Sequence, residues 1–157
     1  MDSADSARIA TPIGIVLVRG VGDRITGIAI GPDSHEDESE GATPVIRDAA
    51  AQLRAYFVGK LDRFDLPLAP ASTRRGDELR AALVAIPFGK TMTYGEVAAR
   101  SGSSARAIGG VCRANPFPIV VPCHRVVSAG TTEFYSAGAG PSTKAHLLAH
   151  ERNRRTS

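Results

Sequence analysis

The stretch NPFPIVVPCHRVV, residues 115–127, constrains the fold more than any other. Pro116 stops a helix arriving from the N-terminal side, because the residue before a proline is pushed out of the helical region. Pro122 interrupts the apolar run PIVV (118–121), which otherwise reads as a strand. Proline removes a ladder donor and is tolerated in a sheet only at an edge, a strand start or a bulge. The chain is therefore expected to bend at Pro122–Cys123–His124. On a regular strand Cys123 and His124 would point to opposite faces; a bend lets both line one pocket. Thiolate is the reactive form of cysteine, and a nearby base eases loss of the thiol proton. A carboxylate that orients the imidazole would complete the set, and spacing leaves Glu133 and Glu151 both open. The competing reading makes Cys123 a small buried hydrophobe. Cys112 lies among small residues and reads as packing. Two cysteines without a paired C-x-x-C make a poor zinc pattern, and no metal site is expected.

The 157 residues suffice for one domain or two small ones. No apolar run approaches the length of a membrane-spanning helix. The polar start MDSADSARIA lacks the features of a secretory signal, so the cytoplasm is the expected compartment, with free thiols. Charge is unevenly divided. Residues 1–71 hold 7 Lys/Arg and 11 Asp/Glu, a net of −4; residues 72–157 hold 12 and 5, a net of +7. A basic half suggests a polyanionic partner, against the plainer reading of a solvated surface.

TPIGIVLVRG (11–20) and RITGIAI (24–30) read as a hairpin around GVGD. GPDSHEDESEGA (31–42) reads as a loop in which His35 stands alone. Thr43–Pro44 opens a helix whose apolar face is Ile46, Ala49, Ala50, Leu53 and Phe57, stopped at Gly59. LDRFDLPLAPASTRR suggests a short strand and a linker. The domain boundary is expected near 69–72, giving domains 1–70 and 71–157. GDELRAALVAI reads as a helix with Asp77 and Glu78 at its positive end and Leu79, Ala82, Leu83 and Ile86 on its apolar face. PFGK is a turn. Thr93 and Glu96 fit a capping box, Gly102 a helix stop, and Ser103 or Ser104 a cap for ARAIGGVCRAN. Two short helices around a glycine turn are consistent with a helix-turn-helix. The second carries Gly109 and Gly110, which cost about 1 kcal/mol each relative to alanine. Tight helix packing would explain them, and so would close approach to a DNA groove, with Arg106 and Arg113 projecting.

Joined in order, IPFGKTMTYGEVAAR, ARAIGGVCRA, NPFPIVVPCHRVV, YSAG and KAHLLAHE resemble the methylated-DNA–protein-cysteine methyltransferases, the O6-alkylguanine-DNA alkyltransferases. The likeness runs from about Ile86 to Glu151. It implies an α/β (α+β) fold: a small ribonuclease-H-like N-terminal domain and a C-terminal winged-helix or helix-turn-helix-like DNA-binding domain carrying the active-site cysteine. It implies a repair protein that binds duplex DNA in the minor groove and flips out O6-alkylguanine, with O4-alkylthymine as a second substrate. The alkyl group passes irreversibly to the protein's own cysteine, once per molecule.

By that resemblance Cys123 is the acceptor, His124 the base acting through a water, and Glu151 the residue that orients it. Asn115 is the hinge between recognition helix and active-site loop. Tyr94 is the proton donor to the flipped base and crowds its phosphate, and Arg106 is the finger filling the gap in the stack. Gly95, Ser103 and Arg113 are further expected DNA contacts. Val126, Pro118, Tyr135 and Ser136 are expected around the base. No cofactor is implied, and the expected state is a monomer, with cooperativity on DNA left open.

The chemistry agrees with the resemblance. Displacing a purine from an alkyl carbon needs a soft nucleophile and a donor to the leaving group, and the target atom is inaccessible inside the stack. The chain departs from the family in two places. STRRGDELRAAL lacks the aromatic residues usual before the first helix, and Arg74 or Arg75 is expected at phosphate instead. TTEFYSAGAGPSTK replaces a glycine-rich loop and places Glu133, Phe134 and Ala137 where small residues are common. Two competing classes are an alkyltransferase-like lesion-binding protein, whose kind replaces the acceptor cysteine, and a thiol-sensing transcriptional regulator, which would need a further module.

Overall fold

The computed structural model describes residues 4–31, 37–129, 135 and 137–156. The chain separates into two compact units, residues 1–69 and 70–157. In the first, β1 (Ala4–Thr11), β2 (Gly14–Val21) and β3 (Arg24–Gly31) form an antiparallel sheet in that order. The expected hairpin is therefore the second half of a three-stranded meander. β1 lies in the stretch that reads as a polar start. Its buried positions are only Ala7 and Ile9, but its whole length pairs with β2 from Ala4↔Val21 to Thr11↔Gly14. Pro12 and Ile13 form the β1–β2 turn rather than the start of a strand.

β3 carries a bulge opposite Arg19 and Gly20. The extra residue brings Ile25, Ile28 and Ile30 to the buried side although their spacing is not a strict alternation. At Gly20 a Cβ would stand 2.6 Å from the Arg24 carbonyl oxygen and 3.0 Å from Ile46 Cδ1, so only glycine fits.

α1 (Pro44–Phe57) covers the sheet. Thr43 caps it and Pro44 occupies its first turn, as the sequence predicts. Asp5 on β1 accepts from the Ala42 and Thr43 amides and the Thr43 hydroxyl at 2.8–2.9 Å, tying strand to helix start. The buried face is Ile46, Ala49, Ala50, Leu53 and Tyr56; Phe57, expected there, is only half-buried. The expected strand near residue 66 is a single bridge between Leu68 and Ile25. His35 lies outside the described residues.

The second unit begins with α2 (Arg74–Val84), which starts two residues before the GDEL segment because Thr73 caps it. α3 (Tyr94–Ser101) opens on the Thr93–Glu96 capping box and ends at Gly102 with φ 64°. α4 (Ala105–Arg113) is capped by Ser104. These three helices pack on one another. β4 (Met92–Thr93) pairs in parallel with β5 (Val126–Val127), which fixes the start of α3 beside the end of the 115–127 stretch. α5 (Pro141–Thr156) packs on the 3₁₀ turn Cys123–Arg125.

The PIVV run is no strand. Residues 117–126 are all buried, but the chain coils there, with the Val121 amide donating to the Phe117 carbonyl at 2.9 Å and Ile119 at φ 76°. A β-branched residue in that region costs about 1–3 kcal/mol, which the enclosing core must offset. No helix among the described residues is long and apolar enough to cross a membrane.

Candidate active site

The bend at Pro122 is a 3₁₀ turn that presents Cys123, His124 and Arg125, all buried. Two side chains hold it. Asn115, just past α4, accepts from the Phe117 amide through Oδ1 at 2.9 Å. Its Nδ2 donates to the Val121 carbonyl at 3.0 Å and to Cys123 Sγ at 3.2 Å. One amide thus fixes both the coil and the sulfur.

The second is Glu151 on α5, 1% exposed. Its Oε2 accepts from His124 Nε2 at 2.7 Å and from Arg125 Nη2 at 3.1 Å, and its Oε1 accepts from Arg125 Nε at 2.9 Å. Arg125 also donates to the Ile86 carbonyl at 2.7 Å and lies over the Phe88 ring. Burial pushes the Glu151 carboxyl up, but hydrogen bonds and charge from His124 and Arg125 outweigh it and hold the group well below the usual range. An ionised carboxylate only accepts, so Nε2 carries the imidazole proton and Nδ1 keeps its lone pair. Nδ1 is buried without a hydrogen-bond partner among the described residues. Burial holds the imidazole pKa below its ordinary value against the opposing pull of Glu151, so the ring is neutral near pH 7.

Cys123 is 4% exposed. Its sulfur accepts a hydrogen bond from the Asn115 side-chain amide. The influence of Cys112 and burial push the Cys123 pKa up, and the influence of Cys123 pulls that of Cys112 down. Lys144 on α5 is also buried, with Nζ donating to the Val126 carbonyl at 2.6 Å. The sequence reading missed Arg125 and Lys144. The signal for Arg125 was a cation inside an otherwise apolar run.

Tyr94 is half-buried at the first position of α3, and Gly95 is exposed beside it. Arg106 and Arg113 are exposed on α4, and Ser103 is half-buried in the turn before it. α4 buries only Ile108. At Gly109 and Gly110 an added Cβ would meet, among the described residues, only the Arg113 guanidinium at 3.5 and 3.9 Å. The glycines are therefore not explained by packing against another helix. Arg75 donates to the Ser101 and Gly102 carbonyls at 3.0 and 2.9 Å and pairs with Glu78, closing the end of α3. Pro118 and Val126 are buried. Tyr135 is half-exposed, its hydroxyl is buried without a partner among the described residues, and burial raises its pKa so that it stays a phenol. Ser136, Glu133 and Phe134 lie outside the described residues. Among the described residues no cluster of three or more His, Cys, Asp or Glu could hold a metal.

Residues 77–153 match the family described as 6-O-methylguanine DNA methyltransferase, DNA binding domain, and residues 7–70 match its ribonuclease-like domain. A methylated-DNA–protein-cysteine methyltransferase of Mycobacterium leprae is 34% identical over 91% of this chain and 89% of its own length. The chain belongs to the methylated-DNA–protein-cysteine methyltransferase family. The constitutive family member of Bacillus subtilis is likewise 34% identical, over 90% of this chain and 92% of its own length. The crystal structure of Mycobacterium tuberculosis O6-methylguanine methyltransferase superposes with a TM-score of 0.80 at 34% identity, covering 97% of this chain and 94% of that one. The same methyltransferase fold was crystallised as Mycobacterium tuberculosis OGT in complex with DNA; that chain is 35% identical, with a TM-score of 0.79 over 95% of this chain and 93% of its own. The expected fold, a ribonuclease-like domain followed by a DNA-binding domain, is the one found. As a member of this methyltransferase family, the chain is a DNA repair enzyme that transfers a methyl group to a protein cysteine.

Proposed function

We propose that Cys123 is the alkyl acceptor, used once, for O6-alkylguanine flipped from the minor groove of duplex DNA, with O4-alkylthymine as a second substrate. The observation that carries this is the bond set at the 3₁₀ turn: a sulfur fixed by Asn115, next in sequence to an imidazole whose Nε2 is committed to Glu151. With Nδ1 as the free lone pair, His124 takes the thiol proton through one intervening water. Sγ attacks the alkyl carbon, the S–C bond forms, and the C–O6 bond breaks with its electrons on the purine. Tyr94 supplies a proton to that leaving group, which lowers its barrier to departure. The thioether does not revert, so each molecule acts once. The raised pKa of Cys123 fits a resting thiol that ionises only when a base is in place.

The DNA-facing side rests on α4. Its small exposed surface suits close approach to a groove floor, and Arg106 near its start suits insertion into the stack. Arg113, Gly95 and Ser103 lie on the same two-helix unit. Arg75 supports the reading indirectly, by holding the end of α3, rather than as a phosphate contact. Pro118, Val126, Tyr135 and Ser136 form the base pocket, residues 1–70 and 71–157 are the two domains, and the protein acts as a monomer in the cytoplasm. Mixing the protein with a duplex carrying O6-methylguanine is expected to add one methyl group by intact mass, mapped to Cys123 and absent in Cys123→Ser. An unmodified chain, or a methyl group on another residue, would overturn the assignment.

A further inference from the structure

Phe117 opens the coil that leads to Cys123, and a charged side chain covers its ring. Phe117 is 1% exposed. Arg80, on α2, holds its guanidinium carbon 5.1 Å from the ring centroid. The Arg80 side chain is only 16% exposed and lies 3.8 Å from Asp77 on the same helix. An ion pair that long, with a half-exposed carboxylate, fixes little. A planar guanidinium over an enclosed aromatic face is held by the ring itself.

The backbone of Phe117 decides how Asn115 meets the sulfur. The Phe117 amide donates to Asn115 Oδ1 at 2.9 Å, and the Phe117 carbonyl accepts from the Val121 amide at 2.9 Å. With Oδ1 committed, Nδ2 must turn to the Val121 carbonyl and Cys123 Sγ, at 3.0 and 3.2 Å. A reversed amide would set an oxygen lone pair against the sulfur instead. A donor at the sulfur favours the thiolate, and the Asn115 bond pulls the Cys123 pKa down against Cys112 and burial. The coil does not hold itself. Ile119, two residues on, has φ 76°, a strained conformation that persists only where its surroundings enforce it.

We infer that Arg80 is a positioning residue for the transfer reaction: stacked on Phe117, it locks the coil so that Asn115 keeps its donor on the Cys123 sulfur. It acts through the ring and the Phe117 backbone, not on the reacting atoms. It is also a cation of the basic half that serves the inside of the domain rather than a phosphate. The effect on alkyl transfer rests on Cys123 being the acceptor; the effect on the sulfur does not.

Arg80→Met keeps an unbranched stem and removes the charge. In the full-length chain without DNA, iodoacetamide alkylation of Cys123 is followed on its peptide by mass. Its rate in Arg80→Met is expected to fall roughly threefold to tenfold at pH 7 and to recover as pH rises, because the apparent thiol pKa moves up. Methyl transfer from an O6-methylguanine duplex should slow by a similar factor, with affinity for undamaged duplex unchanged. Arg80→Lys, which keeps the charge without the planar stack, should fall between Arg80→Met and wild type. Because the effect runs through the ring, Arg80→Met added to Phe117→Leu should slow Cys123 no further than Phe117→Leu alone. A residue that served bulk stability only would lower the urea midpoint and leave the pH course of Cys123 as in wild type, and that result would overturn the inference. So would additive losses in the double variant, or a loss of duplex affinity large enough to account for the slower transfer. Should Arg80→Met fail to fold, Arg80→Lys decides on the same pH course. Methyl found on a residue other than Cys123 in the wild type would count against the proposed function alone, since iodoacetamide reads the sulfur directly.

Discussion

Glu151 carries two duties at once, and they separate on substitution. It sets the His124 tautomer, and it neutralises Arg125 in a site where both are almost wholly enclosed. Removing one partner of a buried pair leaves an unpaired charge, at a cost of about 3–5 kcal/mol. Glu151→Gln is expected to lose stability on that scale in urea titrations and to slow methyl transfer at a denaturant-free pH where the variant is folded. The pH course follows from the same groups. His124 and Glu151 both have folded pKa values below their ordinary 6.5 and 4.5. Each then binds fewer protons folded than unfolded, so each contributes stability that is complete above those values and lost as pH falls. Wild-type stability should decline first below 6.5 as His124 titrates in the unfolded chain, and again below 4.5; Glu151→Gln should show a smaller second decline, because Asp5 and Glu96 are also held below their ordinary range. An unchanged acid limb in the variant would deny Glu151 its place in the network.

At the scale of elements, α4 is the informative one. Glycine inside a helix costs backbone entropy, about 0.5–1 kcal/mol relative to alanine. Space for a Cβ exists at Gly109 and Gly110 in ordinary contact with only a flexible arginine tip. Gly110→Ala is therefore expected to raise stability by up to about 1 kcal/mol, while Gly110→Leu should keep the fold and weaken duplex binding. Stronger DNA binding by the leucine variant would contradict a groove-facing α4. The helix boundaries were legible in the sequence because each is fixed by a local cap: Thr43–Pro44, the Thr93–Glu96 box, Gly102, Ser104. What was illegible depends on distant partners. β1 exists because all of it pairs with β2, not because Ala7 and Ile9 alone announce a strand. PIVV has strand composition, but Asn115 satisfies its backbone from the side and the chain coils.

Over the whole molecule, charge is sorted along the chain: a net −4 over residues 1–71 and +7 over residues 72–157. Not all of the positive half is available to a partner. Arg125 and Lys144 are buried and committed to Glu151 and the Val126 carbonyl, whereas Arg106 and Arg113 stand exposed on α4. Each cation that displaces a counterion from a phosphate adds about one to the slope of log affinity against log salt. With about three such contacts, affinity for undamaged duplex should fall roughly tenfold to a hundredfold between about 50 and 200 mM salt. The two arginines should then differ. Arg113→Ala, losing the proposed phosphate partner, should weaken binding across sequences and lower the slope by about one. Arg106→Ala, losing the group proposed to enter the stack, should leave more of the slope intact. It should slow repair in duplex DNA more than reaction with the free base O6-benzylguanine, which needs no flipping. Equal losses on duplex and free base would remove Arg106 from the stack, and a salt-independent affinity would mean that the basic half does not dock through phosphate.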